Sequence, residues 1–116
     1  MFFTSKEKQA IIVVGQMIVC ADGEIAPDEI KFEATVLKRI NITSTEIREV
    51  RSMRKAEAIN IISQMTQRKK KFVFAFLCGL IIADDDIDDK EIALLRFLQE
   101  VCDLPEFESE TELLKK

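Results

Sequence analysis

Residues 10–30 read AIIVVGQMIVCADGEIAPDEI, and residues 72–92 read FVFAFLCGLIIADDDIDDKEI. The two stretches lie 62 residues apart and follow one pattern: an apolar run, an acidic elbow, then the start of an amphipathic segment. Ala21-Asp22-Gly23-Glu24-Ile25 leads to Glu29-Ile30, and Ala83-Asp84-Asp85-Asp86-Ile87 leads to Glu91-Ile92. The longest apolar run, Phe72 to Ala83, falls short of the roughly 20 residues a bilayer requires, so no transmembrane segment is expected. Such a run belongs to a buried helix. Two of them, each followed by an elbow and an amphipathic partner, predict a bundle made of two related halves.

Working outward, every element reads as helical. Thr4-Ser5-Lys6-Glu7 has the spacing of a capping box, with the threonine accepting from the backbone and the glutamate reaching back. The helix it opens runs to about Ala21 and is apolar on nearly all faces from Ala10 to Cys20, which suits a central position. Gly23 suits a left-handed helix terminus. Pro27 suits the first position of a second helix, with Ile30, Val36, Leu37 and Ile40 as its apolar stripe. Thr43-Ser44-Thr45-Glu46 is a second box, opening a basic helix through Arg54. Ala56 to Met65 forms a short amphipathic helix with Ile59, Ile62 and Met65 inward. Gln67 to Ala83 is the second central helix, with Arg68 to Lys71 on an exposed first turn. Asp88-Asp89-Lys90-Glu91 is an acidic box for a last helix ending near Cys102, lined by Leu94, Leu95, Leu98 and Val101. Leu104-Pro105 stops it. No segment alternates with period two, and 3 Gly and 2 Pro leave little punctuation for a sheet. The expectation is all-α: a compact bundle of about seven helices with two pseudo-symmetric halves over residues 1–105, and an acidic tail over 106–116.

The composition narrows function mostly by exclusion. At 116 residues, 47% hydrophobic and 33% charged, the chain is sized for one globular core. Glu7 beside Lys6 and Lys8 spoils a secretory leader, and Cys20, Cys78 and Cys102 sit in apolar stretches without a CxxC pair. Buried free thiols in a reducing cytoplasm are expected. The chain contains no histidine, the commonest general base, and no glycine-rich phosphate loop, so a non-enzymatic role is expected. The net charge of −4 conceals segregation: residues 44–71 hold 8 basic and 3 acidic groups, residues 84–112 hold 12 acidic and 2 basic. Phe2 and Phe3, ahead of the first cap, either pack as a staple or stay exposed.

The elbows are the one feature with specific chemistry. The repeat pairs Asp22 with Asp84, Glu24 with Asp86, and Glu29 with Glu91, placing two carboxylates on a loop and one in the next helix's first turn. Capping explains Glu29 and Glu91, since carboxylates favour a helix N-terminus by about 0.3–1 kcal/mol. It does not explain Asp84, Asp85 and Asp86, crowded behind a helix C-terminus where the dipole disfavours them. A basic side chain or a hard cation must offset that repulsion. Oxygen ligands without His or Cys suit Ca²⁺ or Mg²⁺, and make Asp22, Glu24, Glu29, Asp84, Asp86 and Glu91 the candidate ligands. An EF-hand is excluded: counted from Asp84, Asp89 stands where its glycine is required and Leu95 where its glutamate is.

An apolar helix ending in Ala-Asp-Gly-x-Ile with a glutamate following, repeated within a small helical domain, resembles the tellurite-resistance TerB-like domain. It is also similar to the N-terminal domain of a membrane-anchored DnaJ-type co-chaperone. The resemblance spans roughly Glu7 to Leu104 and implies a bundle of about seven helices, a bacterial stress-associated role and divalent-cation binding by acidic residues. Asp22, Glu29, Asp84 and Glu91 match that pattern most directly, while Asp85 stands where it has glycine. The competing reading is a metal-independent interaction domain that uses its polarised charge. Arg48, Arg51 and Arg54 recur every three residues, with Lys55 and Lys69 nearby. With no Trp or Tyr in the chain, nucleic acid is not the expected partner. A protein with an acidic surface fits better, and peripheral contact with an anionic membrane is the remaining alternative for that face. Oligomeric state leaves no signal in the sequence.

Overall fold

The computed structural model describes residues 2–21, 27–83 and 87–105, the side chains of 27–29 excepted. Among them the chain forms six α-helices and one 3-10 turn, so the all-α class is as expected. These are α1 (Ser5–Val19), α2 (Pro27–Arg39), α3 (Ser44–Glu49) with the turn Val50–Ser52, α4 (Lys55–Ser63), α5 (Gln67–Ala83) and α6 (Asp89–Cys102). The acidic tail over 106–116, and the expected cap at Gly23, lie outside the described residues. No helix among the described residues is long and apolar enough to cross a membrane.

Local chemistry sets the boundaries. All three expected capping boxes form. Thr4 Oγ1 accepts from the Glu7 N–H at 3.1 Å while Glu7 Oε1 accepts from the Thr4 N–H at 2.8 Å. Thr43 and Glu46 repeat this at 3.2 and 2.8 Å. Asp88 accepts from the Lys90 N–H at 2.7 Å, and Glu91 Oε1 from the Asp88 N–H at 3.3 Å. Thr66 caps α5 through the Lys69 N–H, at 3.3 Å. At the other ends, α2 and α6 finish alike. Asn41 (φ 61°) and Asp103 (φ 54°) adopt the left-handed conformation that their short polar side chains tolerate. The following residues, Ile42 and Leu104, donate back to Leu37 O at 3.3 Å and Gln99 O at 2.9 Å, closing Schellman-type ends. The starts of α1 and α5 (Ser5, Gln67), the starts of α2 and α6 (Pro27, Asp89) and the two left-handed residues are each separated by 62 positions.

α1 runs through the middle, packing on α3, α4, α5 and α6, while α2 lies on α5 and α4 on α6. Ala10, Ile11, Val14 and Ile18 of α1 are buried with Phe74, Leu77 and Ile81 of α5. Phe76 is held between Gly15, where no side chain intervenes, and the Phe32 ring, stacked at 6.2 Å between centroids. Phe3 packs on Phe72 of α5 (5.2 Å) rather than on its own helix, and Phe2 is exposed.

Five expectations need correction. Ile30 is 55% exposed, because the ridge facing α5 is Phe32, Val36 and Ile40, spaced by four. Val101 is 42% exposed, since α6 buries Glu91, Leu95, Leu98 and Cys102. Cys20 is exposed, unlike Cys78 and Cys102. Lys70 is buried rather than on an open turn, because its stem extends the stripe of Val73, Phe74 and Leu77 by one turn. The basic helix also ends early, at Glu49. The 3-10 turn follows, closed by Met53 N–H to Val50 O at 3.0 Å, and both of those side chains are buried.

Candidate functional site

Of the six candidate ligands, Glu91 is the one whose side chain is described. It is fully buried at the third position of α6, with Oε1 on the Asp88 N–H, so it serves the cap that its spacing predicted. Glu29 stands at the corresponding position of α2, in the backbone of its first turn. Asp22, Glu24, Asp84 and Asp86 lie outside the described residues. Among the described residues no three acidic or cysteine side chains gather to hold a metal ion.

A different site comes from the outer stripe of α1. Val13, Gln16, Met17 and Cys20 follow one another at spacings of three, one and three, hence along one face. That face is one wall of a groove of about 810 Å³. Ile47 of α3, with Val50 and Met53 around the 3-10 turn, forms the opposite wall, and Leu94 of α6 closes one side. Arg51 and the first residue of α4, Lys55, stand on its rim. Among the described residues no acidic one lines it. Arg48 and Arg54 are exposed on the same short segment, and among the described residues none of these four cations makes an ion pair.

The opposite wall is fixed to α1 by a polar seam that the sequence did not announce. Lys8 Nζ donates to Asn41 O at 3.0 Å and lies 3.6 Å from Glu46 Oε1. The buried amide of Gln9 donates to Glu49 Oε2 at 3.1 Å and to Glu46 O at 3.4 Å. The Ser5 hydroxyl, the Thr43 backbone and Lys8 together hold the Glu46 carboxyl below the usual carboxylate range, against the cost of its burial. In the same first turn of α1, Lys69 Nζ meets Glu7 Oε1 at 2.7 Å and lies 5.6 Å from the Phe3 ring centroid. Lys69, grouped with the basic face in the sequence, is therefore engaged in holding α1 to α5. The groove itself was missed because its apolar members read as core. The signal was present in Gln16 and Cys20, polar groups on the same stripe as Val13 and Met17.

These features define a small all-α bundle with a basic-rimmed apolar groove on one side. No protein-family model matches the chain, and no curated protein matches it. It is similar to the crystal structure of a protein of unknown function, PG1108, from Porphyromonas gingivalis W83. The two share 32% sequence identity with a TM-score of 0.77, over 92% of this chain and 90% of that one. The chain belongs to the same family as that protein.

Proposed function

We propose that this chain is a non-enzymatic protein-binding module that recognises an acidic partner through Arg48, Arg51 and Arg54 and the groove beside them. The observation that carries this is the basic rim over an apolar floor: charge that steers a partner, next to surface that gains from being covered. The resemblance to TerB-like domains suggests a cytoplasmic setting in bacterial stress physiology of the tellurite-resistance type. The test compares the wild type with an Arg48→Glu/Arg51→Glu/Arg54→Glu variant as bait in native lysate, at low and moderate salt, with and without chelator. The reading requires a partner lost on charge reversal and weakened by salt, with chelator without effect. Equal recovery by both baits overturns it.

The second reading is a divalent-cation site at the elbows. Its support is the shared 62-residue offset of helix starts and left-handed ends, which favours two pseudo-symmetric halves and hence equivalent acidic elbows. In this reading Asp22, Glu24 and Glu29 serve one copy, and Asp84, Asp86 and Glu91 the other, with Ca²⁺ or Mg²⁺ as the ion. Saturating ion then adds about 2–3 kcal/mol to stability, and Asp84→Asn with Asp86→Asn removes that gain. An unchanged melting temperature at millimolar Ca²⁺ rules it out.

A further inference from the structure

We infer that the groove receives an acidic amphipathic helix of a partner protein, with apolar side chains on its floor and glutamates or aspartates against Arg51 and Lys55. This rests on the protein-binding reading and narrows it to one occupant and one mode. The α1 wall from Val13 to Cys20 covers two helical turns, about 10 Å, which matches partner anchors at i, i+3, i+4 and i+7. Met17 and Met53 both line the groove, and flexible thioethers repack around apolar anchors. Among the described residues the charges on the lining, Arg51 and Lys55, are positive, so an acidic flank is attracted and a basic one repelled. Nucleic acid fits less well: phosphates gain nothing from Val13 or Val50, and among the described residues the lining offers no aromatic ring on which a base stacks.

The two groove methionines also supply the readout, because Met65 is buried outside the groove and acts as an internal control. The full chain, labelled at its methionine methyl groups, is titrated with a synthetic helical peptide bearing leucines at those four spacings and glutamates on the flanks. The Met17 and Met53 signals are expected to move while Met65 stays, and Cys20 is expected to become protected from alkylation. Arg51→Glu with Lys55→Glu, both at exposed positions, is expected to weaken binding at least tenfold. A scrambled peptide of equal charge binding equally well overturns the helix-in-groove inference while leaving the basic-face reading intact. No binding of either peptide, with the lysate partner still lost on charge reversal, does the same. Movement of Met17 and Met53 on protein concentration alone, or with a DNA duplex but not the peptide, overturns it in favour of those occupants.

Discussion

At the scale of single residues, the core leaves no room for a side chain between Gly15 and Phe76. A Cβ added at Gly15 comes within 2.9 Å of that ring, which is buried and cannot swing away. Overpacking costs about 1–3 kcal/mol, against a gain of about 1 kcal/mol in helix propensity, so Gly15→Ala is expected to lower stability by about 1 kcal/mol in urea unfolding. Gly79→Ala collides with the tip of the Phe32 ring, which is only half-buried and can turn outward. Its loss is expected to be the smaller of the two. The cysteines separate by environment in the same way. Burial pushes the Cys102 thiol up to about 11, partly opposed by the charge of Lys70, so at pH 8 roughly one part in a thousand is thiolate. Iodoacetamide on the native protein is expected to modify Cys20 alone, read as a single mass increment. Cys78 and Cys102 should follow only in denaturant.

At the scale of elements, α3 is the weak member. Six residues cannot sustain a helix in water, so its capping box and the contacts from Lys8 and Gln9 must hold it. Thr43→Ala is expected to cost about 1 kcal/mol and to raise amide exchange across residues 44–52 before other helices respond. The caps were legible in sequence because each depends on residues three apart, and the central helices because Phe72 to Ala83, and Ala10 to Cys20 broken only by Gln16, leave few alternatives. Helix faces were less legible. Ile30 and Phe32 are equally apolar, and only the position of Gly79 on α5 decides that Phe32 is the residue that docks. Lys70 looked solvated because its charge is local while the stripe its stem extends is set by neighbouring helices. The groove was illegible for a stronger reason: it is a gap among α1, α3, the 3-10 turn and α6, a property of no single segment. The elbows stood out in sequence, and of them the structure describes the cap formed by Glu91.

For the whole molecule, the question is what keeps the central helix in register with its surroundings. α1 is tied to α5 by Glu7 and Lys69, and to the α2–α3 corner by Lys8, Gln9 and Glu46. Burial opposes ionisation of Glu7, but the hydrogen bonds from Lys69 and the Thr4 backbone outweigh it and hold its carboxyl below the ordinary value of 4.5. Glu46 is lowered as well. With folded values below unfolded ones, the unfolded chain takes up protons first as pH falls. The stabilisation is thus fully present above about pH 5 and drains away below 4.5, through the lowered folded values. A charge-assisted pair of this kind contributes about 1–2 kcal/mol when both partners are ionised. Glu7→Gln is therefore expected to melt below the wild type at pH 7, and the two melting curves should converge as pH falls through the lowered folded value, where the native carboxyl is itself protonated. Lys69→Met should behave alike, since it removes the donor and lets the Glu7 value rise. A constant gap between wild type and variant as pH falls through the carboxylate range would show that Glu7 acts through packing, and that the first turns of α1 are held by apolar contacts alone.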